Sequence, residues 1–273
     1  MRIPGHGSSI EGLIQIVNKL IQDLGGQKPL LWRGQADQSW SLQPSIDRQA
    51  SSATTYAERL AEEQELIREF RDRSRFLLGS IEQAYMSIQN HTSPLVVMQH
   101  YGAPTRLLDW THSPQVALFV ASITEPGLDG AAWWINGETL ELTVDRFWDR
   151  HGMRDASGTV DPNRWAFSVN SRDFLMPFFM PMPFPRIAAQ QGCFLLPGRL
   201  GCNFEEVLDQ MGSECGTSIL YGKITFPSQL KTELLKTLQL GNVTAASLDY
   251  PGADLVGRSL AQKLHDSRTR TAQ

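Results

Sequence analysis

The segment Met98–Ser122, MQHYGAPTRLLDWTHSPQVALFVAS, places the tightest constraint on the fold. It gathers Gln99, His100, Tyr101, Arg106 and Asp109 just ahead of an apolar run. Polar groups of this kind are costly to bury unless they pair with one another or hold a ligand. Ser113-Pro114 then reads as an N-cap followed by proline at the first helical position, opening a helix through Ser122. Val116, Leu118, Phe119 and Val120 make that helix part of the core, and Ala117 and Ala121, one turn apart, permit close packing. The fold must therefore seat a polar cluster directly against a buried helix.

The surrounding sequence supplies the other elements. Ser8-Ser9-Ile10-Glu11 reads as a capping box with Ser8 as the cap, followed by apolar residues at helical spacing up to Leu24 and stopped by Gly25-Gly26. Pro29–Gln35 reads as a strand and Ala36–Ala53 as a loop. Thr55–Leu78 reads as a long helix whose Glu and Arg residues pair along a solvated face. Pro94–Tyr101 is expected in a helix closed by Gly102, Thr105–Trp110 in a strand, Ala131–Asn136 in a buried strand and Thr139–His151 in a helix with some loop. Met153–Pro185, with Pro177, Pro181, Pro183 and Pro185 among several Phe residues, reads as a long ordered loop, serving either function or cover for the core. Gly192–Leu196 and Ser218–Phe226 read as strands, Ser228–Leu240 and Ala253–His265 as helices, and the last residues as a flexible tail. Strands alternate irregularly with helices. The expectation is a single α+β domain over 1–273, core about 10–260, tail 266–273, with a mixed or antiparallel sheet packed by helices.

Composition narrows the partners. The chain is 41% hydrophobic, enough for a real core, and its net charge of −4 argues against generic nucleic-acid binding. Three unpaired cysteines without C-x-x-C spacing fit neither a disulfide framework nor a zinc site, so no metal is expected. The N-terminus has no apolar core of a signal peptide, and the run Val116–Ile123 is far short of the ~20 residues of a membrane helix. A cytoplasmic chain without a membrane partner is expected.

Several residues read two ways. Arg33, at the end of a strand with Gly34 behind it, suits a phosphate fork with close backbone approach, or an ion pair with Asp37, Asp47 or Asp109. His100 suits a general base, a phosphate or ring contact, or a core histidine. Gln190-Gln191 beside Gly192 suits recognition of a planar polar edge, or a solvated turn. No H-E-x-x-H, G-x-S-x-G, P-loop or G-x-G-x-x-G occurs.

Taken in order, these motifs resemble a known family. Leu31–Gln35 (LWRGQ), Trp40–Ser45 with Arg48, Gln99–Thr111 (QHYGAPTRLLDWT), Ser113-Pro114 and Ala117–Ala121 closely resemble the FRG-domain family, with Trp32 at an aromatic position of its first motif. Arg186–Phe194 resembles the family's last core motif, and Leu240-Gly241 with Asp254–Gly257 its C-terminal ending. A second resemblance is to ADP-ribosyltransferases of the Arg-Ser-Glu type. Trp32-Arg33-Gly34 is similar to their first motif, and Trp110–Ser113 with Ala117–Ala121 to their second. Gln190–Gly198 occupies the place of their glutamate motif. A glutamine there bonds ribose but supplies no negative charge; Glu205, Glu214 or Asp109 would have to provide the carboxylate.

The resemblance implies a bacterial defence- or toxin-type effector that handles NAD or a related nucleotide, transferring ADP-ribose or cleaving NAD. The catalytic candidates are Arg33, His100, Gln190 and Gln191. Arg33 would hold the pyrophosphate, with Gly34 beside it. Tyr101 or Trp110 would stack on a ring, and Thr111 and Ser113 would shape the ribose site. Thr105, Arg106 and Asp109 complete the pocket, Arg106 and Asp109 largely as structural pairing. A non-catalytic nucleotide sensor and a protein-binding module of a defence system are the alternatives.

Overall fold

The computed structural model describes residues 5–49, 55–88, 91–180 and 184–248. In chain order the elements are β1 (Gly5–His6), α1 (Ile10–Leu24), β2 (Leu30–Gln35), α2 (Ser45–Arg48), α3 (Tyr56–Ser74), α4 (Ser80–Ser87), α5 (Thr92–His100), β3 (Leu108–Thr111) and α6 (Pro114–Ile123). They continue with β4 (Gly130–Asn136), α7 (Gly137–Arg150), α8 (Pro162–Ala166), β5 (Leu175–Phe178), α9 (Pro185–Ala189), β6 (Gly192–Pro197), α10 (Phe204–Glu214), β7 (Tyr221–Phe226) and α11 (Lys231–Leu240). The strands form one mixed sheet in the order β1-β7-β4-β2-β3-β6-β5, antiparallel except for the parallel β1–β7 pair. The α+β expectation is met.

The sheet separates two cores because strand side chains alternate between its faces. Leu31 on β2 and Trp133 and Ile135 on β4 join the larger core, covered by α3, α4, α5, α7 and α10. Leu30, Trp32, Ala132 and Trp134 point the other way, into a smaller core under α1, α6 and α11. All seven residues of β4 are buried, as a strand packed on both faces must be.

The helix signals act as their chemistry dictates. Ser113 Oγ accepts from Val116 N at 3.3 Å and Pro114 opens α6. Thr55 and Glu58 make a reciprocal capping box on α3. At α1 the cap is Ser9, not Ser8: Ser9 Oγ accepts from Gly12 N at 3.1 Å, and Glu11 instead accepts from Gln15 at 3.2 Å.

Other boundaries also shift. The strand expected from Thr105 begins at Leu108, because Ser45 Oγ and Ile46 N occupy both backbone groups of Thr105. The loops expected at 36–53 and 153–185 contain α2, and α8 with β5, and α4 and α10 were not anticipated. α2, α8 and β5 are short, and α8 is opened by a proline; α10, by contrast, carries an Asn203 cap and buried Phe204, Val207, Leu208 and Met211 at helical spacing, a signal present in the sequence. The helix expected at 253–265, the motif 254–257, the tail, Pro181 and Pro183 lie outside the described residues. Among the described residues no helix is long and apolar enough to cross a membrane.

Candidate functional site

A cavity of about 550 Å³ opens where β2 ends. Its floor is Arg33, Gly34 and Gln35, one wall is the Ser39–Gln43 loop with Arg48 of α2, and the other is Val120 and Thr124 at the end of α6. The volume lies in the range of small-molecule sites. Arg33 and Arg48 are the charged side chains of this lining, so the cavity is cationic. Trp40 stands at the rim, 48% exposed.

Each wall has an identifiable cause. A Cβ on Gly34 would lie 1.9 Å from the Ala117 carbonyl oxygen and 2.7 Å from Ala121 N, so only glycine lets α6 press onto the strand. That contact brings Val120 and Thr124 to the cavity. Gln35 holds the opposite wall: Nε2 donates to the Ser41 carbonyl at 2.9 Å, while Oε1 accepts from Trp133 Nε1 at 2.7 Å. Asp37 Oδ1 accepts from Ser39 N at 2.7 Å, turning the chain toward Trp40; this bond holds the Asp37 carboxyl below its ordinary range. Lys231, 1% exposed, donates to the carbonyls of Ala36 at 2.8 Å, Thr124 at 3.2 Å and Glu125 at 2.8 Å, joining the strand exit to the end of α6.

Behind Arg33 lies a polar relay. Arg33 Nη1 donates to the Asp109 carbonyl at 2.7 Å, and the Asp109 carboxylate stands 4.0 Å away. Asp109 is thus the acidic partner among the three weighed from sequence. Gln99 Nε2 donates to Asp109 Oδ2 at 2.7 Å, and Gln99 Oε1 accepts from Thr105 Oγ1. Partial desolvation pushes the Arg48 guanidinium below its ordinary value, and the Asp109 carboxylate opposes that shift.

The other candidates lie elsewhere. Arg106, fully buried, forms an ion pair with Glu63 rather than Asp109, donates to the carbonyls of Ala166 at 2.6 Å and Gly198 at 3.2 Å, and lies 4.3 Å over the Phe167 ring. It fastens α3 to the end of α8 and to the loop after β6. His100 sits against Tyr101 at 4.8 Å and Phe184 at 5.0 Å, and Tyr101 stacks on Phe70 at 6.4 Å. Trp110 is 3% exposed in the larger core. Thr111 Oγ1 donates to the Gln190 carbonyl at 2.6 Å and accepts from Ser113 N at 3.0 Å. Gln190 Nε2 donates to the Leu248 carbonyl at 2.8 Å, and Gln191 is exposed with φ +47°. None of these residues lines the cavity; Arg33 and Gly34 do.

Of the carboxylates weighed from sequence, Asp109 alone adjoins Arg33. Glu205 lies in the first turn of α10, and Glu214 at its end pairs with His151 at 3.2 Å. Cys193 and Cys202 supply no thiolate near neutral pH, since burial pushes both up to about 12. Among the described residues no three His, Cys, Asp or Glu side chains stand together as a metal site. Gln35, Trp40, Gln43 and Arg48 are the site residues missed from sequence; they stood inside the quoted motifs without a role.

The fold and cavity thus define an α+β protein with an arginine-bearing recess at one strand end. Residues 28–126 match the family model of the FRG domain, so the chain carries an FRG domain there. Every residue lining the recess falls within that span, whereas Arg186–Phe194 and the C-terminal motifs fall outside it. No curated protein and no solved structure matches the chain.

Proposed function

We propose that the FRG domain binds a nucleotide in this recess, with NAD or a related ADP-ribose compound as the ligand class. The observation that carries the reading is the placement of Arg33 and Arg48 on one cavity beneath the half-exposed indole of Trp40. Guanidinium groups match phosphate oxygens in fork geometry, and an indole at the rim offers a face to a base or nicotinamide ring. The cationic lining disfavours a neutral or cationic occupant.

The catalytic form of this proposal is ADP-ribose transfer or NAD cleavage, as in a toxin- or defence-type effector. In cleavage the ribose–nicotinamide bond breaks, nicotinamide leaves with the electron pair, and water or another acceptor adds to the ribose carbon. The Asp109 carboxylate stands 4.0 Å from Arg33 but outside the lining, so the catalytic form requires it to turn into the recess to meet the positive charge that develops. A second reading, binding without turnover, is favoured by Gln190-Gln191 in place of a glutamate and by the absence of a carboxylate from the described lining.

Calorimetric titration with NAD and with ADP-ribose, followed by mass spectrometry for nicotinamide, tests both. Binding is expected to weaken about 10–100-fold in Arg33→Ala and in Arg48→Ala, the range for losing a charged hydrogen bond. Trp40→Ala is expected to weaken it about tenfold, within the range measured for base stacking. Nicotinamide release, and bacterial growth arrest lost in Arg33→Ala, support the catalytic form; binding without release supports the sensor. Absence of binding to either compound overturns the proposal.

A further inference from the structure

We propose that a second copy of this chain docks on the face formed by the end of α3 and by α4, giving a two-fold dimer. Phe76 is 90% exposed, Leu77 65%, Ile81 44% and Ile88 43%. Large apolar side chains scattered singly on a surface are ordinary; four of them within residues 76–88, two of which line one groove, are a local concentration that water does not favour. This groove of about 620 Å³ is lined by Phe76, Leu78, Met86 and Ile88 and, in equal measure, by polar and charged side chains. A protruding ring beside a groove of mixed apolar and charged lining supplies the two halves of an isologous contact, in which each copy's projection enters the other's groove.

The charges select the occupant. On α3, Arg68 pairs with Glu65 and Arg73 with Glu69, each at 2.6 Å. Arg71, Asp72 and Arg75 line the groove and form no ion pair among the described residues. Arg71 Nε donates to the Met86 carbonyl at 3.1 Å, and Arg75 lies 5.6 Å from the centre of the Phe76 ring. A purely acidic peptide or an anionic membrane would answer the arginines and repel Asp72. A second copy presents both signs, so that Arg75 of each chain meets Asp72 of the other. None of these residues lines the nucleotide recess, so the dimer stands or falls independently of the proposed ligand.

Sedimentation equilibrium on the full chain over a range of concentrations tests this. The wild type is expected to approach twice the 30.6 kDa chain mass. Phe76→Glu is expected to raise the dissociation constant more than tenfold with an unchanged circular-dichroism spectrum, because the side chain it replaces is exposed. Asp72→Arg and Arg75→Asp should each weaken the dimer, and the two together should restore it. A wild type that stays at one chain mass at every concentration, a dimer unmoved by Phe76→Glu, or a charge-swapped pair that fails to recover overturns the proposal.

Discussion

Trp133 fixes which way Gln35 faces. The indole Nε1–H donates to Gln35 Oε1 at 2.7 Å, which commits the amide nitrogen to the Ser41 carbonyl at 2.9 Å. The Trp133 ring is itself held under the Lys223 ammonium, 4.6 Å from its centre. A core tryptophan on the neighbouring strand thus orients the amide that anchors the loop bearing Trp40.

Gln35→Glu is the sharpest test of that anchor. The carboxylate still accepts from Trp133 but turns an oxygen toward the Ser41 carbonyl. Gln35 is 5% exposed, so the new carboxylate is desolvated where it opposes the Ser41 carbonyl. The expected loss is about 1–3 kcal/mol, the cost of leaving a buried polar group unmatched, read as a lower midpoint in urea unfolding. Gln35→Met removes the repulsion but leaves the buried Trp133 Nε1–H without an acceptor, so it should also destabilise.

Gly34→Ala should be poorly tolerated for a steric reason. The added carbon meets backbone atoms of Ala117 and Ala121, which have no rotamer to yield. Displacing α6 from β2 is expected to cost about 1–3 kcal/mol or more. Thermal unfolding reads that loss, and nucleotide titration should show weaker binding as Val120 and Thr124 move with the helix.

Glu63→Gln leaves the Arg106 charge buried without its counter-ion. Both side chains are fully enclosed, and Arg106 Nε donates to both carboxylate oxygens, at 2.9 and 3.0 Å. Breaking a buried pair from one side costs about 3–5 kcal/mol. The double variant Glu63→Leu with Arg106→Met should lose less than Glu63→Gln alone, though not return to wild type, since the carbonyls of Ala166 and Gly198 lose their donor. Urea unfolding of the variants decides it.

Stability should fall as the solution is acidified below the ordinary histidine pKa. Desolvation lowers the pKa of His112, which stacks on Phe179 at 5.9 Å, and desolvation is also the main cause of the lowered value at His91. A group depressed in the folded state stabilises above its unfolded pKa, near 6.5, and loses that contribution as pH falls toward its folded value. Urea midpoints at pH 7.5 and 5.5 should therefore separate in the wild type and draw closer in His112→Gln.

The sequence was readable where residues act on their neighbours. Ser113-Pro114 and Gly25 delimit helices through contacts within one turn, and β4 announces itself by an apolar run. The polar cluster of 98–111 was expected to line a pocket, with Arg106 and Asp109 largely as structural pairing; Gln99 does bond Asp109 and Thr105 within it, but other partners lie far along the chain. Arg106 bonds Glu63 across 43 positions, and Thr111 bonds Gln190 across 79. For the site, Arg33 and Gly34 were legible from a strand end. The recess needs Trp40 and Arg48 from a polar loop and a single-turn helix, where no periodicity marks a residue for either role.

Lys231 bears on how this module is bounded. The match to the FRG domain ends at residue 126, yet the carbonyls of Ala36, Thr124 and Glu125 are satisfied by an ammonium more than a hundred positions downstream. The strand beside β2 on its other edge, β4, also begins after that limit. Excised at its family limits, the segment would keep every residue of the recess while losing the strand that backs it and the cation that closes its corner. The recognisable unit of descent and the unit that folds are different lengths of chain.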